Sequence, residues 1–235
     1  MNAFEILALA IAVIVGFAGA RFTPSKSSQD VPLNEASKPD DVATFAALMS
    51  GFNVPAIESY QVQSALTNPG VNSQNMAAFL SMLAMAEGTN RGGDPYRVCY
   101  GYVHTVRDLA QHPATGREPE WRGEYLPNHM CAAVGMSPGC VSTAAGRYQI
   151  IRPTWLKCQA ALNLPDFTAA SQDAAAVYLI KKRGALDDVQ NGNIEAAIQK
   201  CSKEWASLPG ANYGQPERKM SALVEGFTNN GGVLA

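Results

Sequence analysis

The stretch SQNMAAFLSMLAMAEGTN, residues 73–90, has the pattern of an amphipathic α-helix. Its apolar side chains recur every three or four positions, as on one face of an α-helix, at Met76, Phe79, Leu80 and Leu83. Ser73 is predicted as the N-cap of this helix, and Gly88 as the residue that ends it. The next position of the apolar face is Glu87. The pattern therefore predicts a carboxyl group at the helix C-terminus, turned toward the core.

This placement gives Glu87 an unusual environment. Burial and the negative end of the helix dipole both disfavour the carboxylate, so we expect a raised pKa. A carboxyl group that stays protonated near an apolar pocket is suited to general acid catalysis. The alternative interpretation is a glutamate that turns back to solvent at a frayed helix end.

Four more helices are predicted downstream from capping residues and apolar spacing. They are PTWLKCQAALNL begun by Pro153, QDAAAVYLIKKR capped by Ser171 and closed by Gly184, IEAAIQKCSKEWASL capped by Asn193, and PERKMSALVEGF begun by Pro216. A long irregular region separates the first helix from these, and long loops in compact domains are usually functional. Within it, YRVCYGY (96–102) is predicted as a strand of a small hairpin, whose tyrosines would suit stacking on sugars. His104 and His112 are interpreted as solvated or structural.

Composition and charge limit the class of protein. The chain has 235 residues, 47% of them hydrophobic and 16% charged, which is enough for one domain with appendages. A net charge of −2 gives no indication of nucleic-acid binding. No cofactor or metal is expected, since no cluster of ligand residues is visible.

The N-terminus is hydrophobic. Residues 6–20 carry no charge, and residues 3–22 are long enough to span a bilayer if Glu5 and Arg21 reach the headgroups. We therefore predict that residues 1–22 are membrane-directed, as a signal anchor or a signal peptide; a buried core helix is the alternative. Residues 23–72 have the composition of a linker, with a short helix near 41–52, and residues 73–235 form the helical domain.

Five cysteines show no zinc-binding spacing. Cys131 and Cys140 bracket the loop CAAVGMSPGC, and a disulfide between them is plausible in an oxidising compartment. Cys158 and Cys201 lie on apolar faces of predicted helices. They are interpreted first as small core residues, and alternatively as a bridge between two helices.

Several blocks of the sequence resemble a known family. AAFLSMLAMAEGTN, STAAGRYQI, SQDAAAVYLIKKRGAL and KCSKEWASLPGANYGQ closely resemble, in this order, blocks of the lambda-type endolysins, a family of lysozyme-like lytic transglycosylases. The similarity covers about residues 75–232 and says nothing about residues 1–70. An apparent insertion from about Ala114 to Cys140 departs from the family pattern and leaves the shape of one cleft rim open.

The resemblance implies a mainly α (α+β), lysozyme-like fold. It also implies cleavage of the β-1,4 bond between N-acetylmuramic acid (MurNAc) and N-acetylglucosamine (GlcNAc) without water. The family's catalytic glutamate falls on Glu87. The block Gly146, Arg147, Tyr148 and Gln149 matches the segment opposite the acid, where Tyr148 and Gln149 would help to hold the sugars. Tyr213 and Gln215 match a further block of the same cleft.

A second catalytic carboxylate is not evident in the sequence. Conventional glycosidases place two carboxyl groups across the scissile bond. Muramidases of the T4 type carry Asp and Thr where this chain has Tyr96 and Tyr102. Asp94 and Asp108 are candidates, although loop aspartates usually stabilise turns. A transglycosylase needs no second carboxylate, because the C6 hydroxyl of the substrate replaces the activated water.

Rival interpretations are a hydrolytic muramidase, a non-catalytic virion or murein-binding protein of the same fold, and, less favoured, a chitin-cleaving enzyme. The expected partners are peptidoglycan glycan strands, a membrane through residues 3–22, and other virion proteins. A phage would use such a protein for host lysis or entry. We expect it at the host inner membrane, in the periplasm, or in the virion.

Overall fold

The computed structural model describes residues 71–116, 121–213 and 216–235. Over these stretches the chain is mostly helical, with one two-stranded sheet, which confirms the predicted fold class. The helices are α1 (Val71–Ala86), α2 (Asn128–Ala133), α3 (Arg152–Leu162), α4 (Ala169–Lys182), α5 (Leu186–Gln190), α6 (Ile194–Cys201) and α7 (Met220–Asn229). The antiparallel strands are β1 (Glu124–Tyr125) and β2 (Val141–Ser142).

The predicted membrane-directed segment and the linker, including the helix near 41–52, lie outside the described residues up to residue 70. Residues 71 and 72 of that linker already belong to α1. Ser73 therefore lies inside the helix, and its prediction as the N-cap is wrong. Among the residues that the structure describes, no helix combines the length and apolar character needed to cross a bilayer.

Helix α1 is the centre of the core. It packs against α5 and α7, while α3 packs against α4. The predicted apolar face is buried, and Ala78 and Met82 on other faces are buried as well. A helix that is apolar on most sides is covered on most sides, since that removes the largest apolar area from water.

The downstream helices exist, but their ends differ from the predictions. Ser171 is the third residue of α4, and its hydroxyl donates to Asp166 (2.7 Å) instead of capping the helix. Pro153 is the second residue of α3. Asn193 does precede α6, but that helix ends at Cys201, well before the predicted end at residue 208. The last helix begins at Met220, four residues after Pro216.

The predicted strand YRVCYGY is wrong. Two short 3-10 helices, Pro95–Arg97 and Tyr100–Tyr102, occupy this segment, with isolated bridges at Val98 and Cys99 between them. Pro95 begins the first turn, and Gly101 takes a left-handed conformation (φ 72°) inside the second. These two residues break the extended conformation that the alternating tyrosines suggested.

The described part of the apparent insertion and the strand that follows it form a small unit, residues 121–142, here called the inserted unit. It contains β1, α2 and β2 and packs on flanking residues in a separate small core. The buried residues of that core are Tyr100, Leu126, Met130, Cys131, Ala144 and Ile151. A disulfide joins Cys131 of α2 to Cys140, with the two Cα atoms 5.9 Å apart, which confirms the predicted pairing. Cys158 and Cys201 are buried thiols, as the core interpretation predicted.

Candidate active site

Glu87 lies one residue beyond α1, where the helix ends in a tight turn. Its amide still donates to Leu83 (2.8 Å), and Gly88 then takes a left-handed conformation (φ 75°). The amide of Thr89 donates back to Ala84 (2.9 Å). Glu87 is 1% exposed, so the alternative of a frayed, solvated glutamate is wrong.

The two carboxyl oxygens of Glu87 have different surroundings. Oε1 accepts a hydrogen bond from the hydroxyl of Ser207 (2.6 Å). Oε2 is buried and has no hydrogen-bond partner among the described residues. Because Ser207 donates to Oε1, a proton on the acid belongs on Oε2.

Burial raises the pKa of Glu87 to about 8, while the Ser207 hydrogen bond and the charge of Arg218 act in the opposite direction. The guanidinium of Arg218 is held near the acid by donating through Nε to the carbonyl of Ala86 (3.1 Å). The predicted upward shift is thus present in the structure. Glu87 is a neutral acid at neutral pH, with a cation nearby that favours its charged form once the proton has left.

The tyrosines of YRVCYGY have three different environments. Tyr102 is 40% exposed, and its hydroxyl donates to the carbonyl of Gly88, next to the acid. Tyr100 is buried in the core of the inserted unit. Tyr96 donates to Asp173 (3.0 Å). Of the three, Tyr102 is the one that places an accessible ring beside Glu87.

The block Gly146–Gln149 packs against the end of α1. Thr89, two residues after the acid, donates through its hydroxyl to the carbonyl of Arg147 (2.7 Å). Gln149 is buried in a left-handed conformation (φ 48°), and its amide donates to Val98 (3.1 Å) and Gly146 (2.9 Å). These contacts hold the block in place beside the turn that follows Glu87.

A polar network supports this block from inside. The Arg147 guanidinium lies over the rings of Tyr96 and Tyr148, about 5.3 and 5.4 Å from their centroids, and donates to Ser81 (3.1 Å). The hydroxyl of Tyr148 donates to Asp173 (2.6 Å), and the Tyr148 ring is 1% exposed. These observed contacts position the site. Direct sugar contact by Tyr148 or Gln149 stays a prediction.

Tyr213 lies on a loop that follows Ser207. Its hydroxyl donates to the carbonyl of Lys203 (3.2 Å), and its ring is partly exposed. The carboxylate of Glu217 shapes this loop by accepting from the amides of Gly210 and Asn212, both at 2.8 Å. Gln215 lies outside the described residues. The sugar-binding roles predicted for Tyr213 and Gln215 remain predictions.

The loop aspartates considered as second carboxylates serve turns. Asp94 accepts from the amide of Tyr96 (3.0 Å) and pairs with Arg97 (3.2 Å). Asp108 accepts from the amide of Ala110 (2.8 Å). His112 is structural, since it contacts the carbonyl of Ile150 (3.0 Å), and burial lowers its pKa to about 4.

Sequence reasoning missed two residues of the site, Ser207 and Arg218. Ser207 stands in the block KCSKEWASLPGANYGQ, but it was assigned to a long α6 that would have placed it on a helix. The amide of Arg218 donates to the carbonyl of Ser207 (2.8 Å), so the two residues reach Glu87 together. No local pattern marks such a pair.

The chain is similar to known phage proteins over most of its length. The model of the Endolysin family matches residues 77–234. The endolysin of Escherichia phage P2 is 42% identical over 176 residues, covering 71% of this chain and 99% of that protein. The endolysin of Escherichia phage lambda is 39% identical over 169 residues, covering 70% and 95%.

The fold is also similar to that of solved phage lysozymes. Bacteriophage lambda lysozyme complexed with a chitohexasaccharide aligns with a TM-score of 0.57 at 37% identity, covering 69% of this chain and 97% of that one. A second structure, lysozyme from bacteriophage lambda, aligns with a TM-score of 0.56 at 36% identity and the same coverage. The chain has the fold of lambda lysozyme and belongs to the endolysin family.

Proposed function

We propose that this chain is a peptidoglycan lytic transglycosylase that uses Glu87 to cleave the β-1,4 bond between MurNAc and GlcNAc. The observation that carries the proposal is the state of Glu87. It is a buried acid with a pKa of about 8, with Ser207 on one oxygen and, within the described part of the chain, no hydrogen-bond partner on the other. Such a carboxyl group is able to donate a proton at neutral pH.

In the first step, Oε2 of Glu87 gives its proton to the glycosidic oxygen, and the bond from that oxygen to C1 of MurNAc breaks. The GlcNAc side leaves with a free hydroxyl, and C1 becomes oxocarbenium-like. In the second step, the Glu87 carboxylate takes the proton of the C6 hydroxyl, and the C6 oxygen bonds to C1. The product is 1,6-anhydro-MurNAc, Glu87 is protonated again, and no water is consumed.

The surroundings of Glu87 suit both steps. Burial favours the neutral acid before cleavage, while the Ser207 hydroxyl and the Arg218 charge favour the carboxylate that forms during it. The second step needs no other protein carboxylate, since the attacking hydroxyl belongs to the substrate and is already close to C1. Asp94 and Asp108 are held in turns, which agrees with a mechanism that does not use them.

The kinship with lambda lysozyme supports a glycan substrate, because that enzyme has been solved with a chitohexasaccharide bound. A hydrolytic muramidase is the competing function, and the products distinguish the two. Mass spectrometry of digested murein should find anhydro ends, each lighter by one water than a reducing end. Reducing ends in their place would show a hydrolase.

The role of the acid is tested by Glu87→Gln, which keeps the shape of the side chain but removes its acid. We expect kcat to fall about 10³-fold with murein binding retained. Glu225→Gln makes the same chemical change on the exposed face of α7 and serves as the matched control. If Glu87→Gln kept full activity, Glu87 would have no part in the chemistry.

We also propose that residues 1–22 direct the chain to a membrane, in host lysis or in entry. The support is the uncharged run at residues 6–20. Fractionation of cells that make the full chain, or a chain lacking residues 1–22, tests this. The full chain should sediment with membranes, as an anchored protein, or appear shortened in the periplasm, as a cleaved one. The chain without residues 1–22 should do neither; the same distribution for both chains would overturn the proposal.

A further inference from the structure

A surface cavity of about 270 Å³ lies between α3, α4 and the segment that follows α6. The residues that line it are Thr154, Lys157, Cys158, Tyr178, Leu179, Lys182, Arg183 and Glu204. It contains three cations and one carboxylate, an excess of two positive charges. The chain as a whole carries −2, so this concentration of positive charge is local.

The carboxylate is already neutralised by its neighbours. Glu204 accepts hydrogen bonds from Arg183 through Oε2, at 2.9 Å from Nε and 2.7 Å from Nη2. Burial raises the pKa of Glu204, and the charges of Arg183, Lys182 and Lys157 oppose that rise. Because Arg183 pairs directly with Glu204, the charges of Lys157 and Lys182 make up the positive excess of the cavity.

The other side chains of the lining are neutral or hold a cation in place. The Cys158 thiol is buried, and burial raises its pKa to about 12, so it stays neutral at physiological pH. The ammonium of Lys182 lies 5.5 Å from the centroid of the Tyr178 ring, which keeps this cation at the cavity wall. Thr154 adds a hydroxyl donor. The lining thus offers hydrogen-bond donors and positive charge to an oxyanion.

The cavity wall is hydrogen-bonded to the backbone next to the Tyr213 loop. Arg183 donates through Nη2 to the carbonyl of Lys203 (3.0 Å), and the hydroxyl of Tyr213 donates to the same carbonyl (3.2 Å). The cavity wall and the loop with a predicted sugar-binding residue therefore share one backbone group. Glu204 is three residues before Ser207, which holds Glu87.

We propose that this cavity binds a carboxylate of the peptide branches of murein while the glycan strand lies at Glu87. This inference rests on the proposed function. Murein differs from chitin in carrying acidic peptides beside the glycan chain. The charges of Lys157 and Lys182 would favour binding of a strand that carries such peptide carboxylates over one that does not. The cavity makes the enzyme prefer strands that still bear peptides.

The test is the double variant Lys157→Ala/Lys182→Ala of the full chain, assayed on intact murein and on strands freed of peptides by an amidase. The ratio of kcat/KM on intact murein to that on free strands should fall about tenfold. Lys219→Ala removes one exposed charge outside the cavity and should leave the ratio unchanged. An unchanged ratio in the double variant would overturn the inference.

A binding measurement gives a second readout that does not depend on turnover. A soluble murein tetrapeptide, titrated into Glu87→Gln protein, should bind at least tenfold more tightly than inorganic phosphate. Adding the double substitution should abolish the difference. Equal affinity for phosphate and peptide would show an unselective oxyanion site and contradict the inference. Failure of the proposed function is distinguishable, because the wild type would then form no anhydro ends on either substrate.

Discussion

The hydroxyl of Ser207 donates a 2.6 Å hydrogen bond to Oε1 of Glu87, across 120 positions of sequence. The contact joins the end of α1 to the turns that follow α6. It fixes the rotation of the carboxyl group, so that Oε2 is the oxygen left to carry the proton.

Ser207→Ala removes the donor and leaves Oε1 buried without that hydrogen bond. Because the hydrogen bond lowers the pKa of Glu87, its loss should raise that pKa further above 8. We expect kcat to fall about tenfold and the alkaline limb of the kcat/KM profile to move to higher pH. Ser202→Ala is the matched control, since the Ser202 hydroxyl donates to Gln199 (2.8 Å) in the same segment. An unmoved alkaline limb in Ser207→Ala would contradict this role.

Burial of Glu87 also makes stability depend on pH. Its pKa is about 8 in the folded chain and 4.5 as the ordinary value. The folded state therefore holds the proton more tightly, so this contribution to stability is complete below pH 4.5 and is lost as the pH rises to about 8.

Urea unfolding of the wild type and of Glu87→Gln across this range measures the effect. The variant has no proton to lose at this position, so only the wild type should be destabilised here as the pH rises. The free energy of unfolding of the variant minus that of the wild type should therefore increase by a few kcal/mol between pH 4.5 and 8. If the difference in free energy of unfolding between the two proteins stayed constant over this pH range, the pKa of Glu87 would be the same in the folded and unfolded chains.

Gly146→Ala should be strongly destabilising. Gly146 has φ 76°, and an added Cβ would lie 2.1 Å from Oε1 of Gln172. Gln172 cannot easily move, because that oxygen accepts from the amide of Arg147 (2.9 Å) and its amide group donates to Phe167 (2.7 Å). We expect a loss of at least about 3 kcal/mol, measured by thermal or urea unfolding.

Gly184→Ala separates the two causes of that loss. Gly184 has a similar φ of 67°, but an added Cβ would meet no atom of the described residues within 4 Å. It should cost only about 1 kcal/mol, from backbone conformation alone. Equal losses in the two variants would show that the contact with Gln172 does not matter.

Cys131→Ser opens the inserted unit. Closing a loop of this length contributes about 3 kcal/mol in the chain-entropy view. Residues 121–142 should become the first site of limited proteolysis, identified by mass spectrometry of the fragments. Reductant should produce the same cleavage in the wild type and should change nothing further in the variant. A reduced wild type as resistant as the oxidised one would contradict the prediction.

Features of the site that lie within one short segment were predictable from the sequence, whereas contacts between distant segments were not. The apolar face that ends at Glu87 is contained in one helix, so both the burial and the raised pKa of the acid were predictable. The Cys131–Cys140 pairing lies within ten residues and was predictable as well. Ser207 and Arg218 reach the acid only through tertiary packing, and no spacing in the sequence encodes that.

The wrong predictions have equally physical reasons. Alternating tyrosines imitate a strand, but Pro95 and Gly101 impose turns that override the alternation. Ser171 has the chemistry of a cap, but the helix already begins at Ala169, after Thr168, so Ser171 lies in the first turn. There its hydroxyl donates to Asp166. Serine is favoured both at caps and in such local side-chain hydrogen bonds, so its presence alone does not fix where a helix begins.

The contacts of Gly146–Gln149 bear on what this block indicates when it is found in another sequence. Its members are tied to Gln172, Asp173 and Thr89, none of which supplies the acid. A descendant that exchanged Glu87 for another residue would still need the block in order to fold. The block therefore indicates membership of the family and not activity. A search for active enzymes should require residues equivalent to both Glu87 and Ser207.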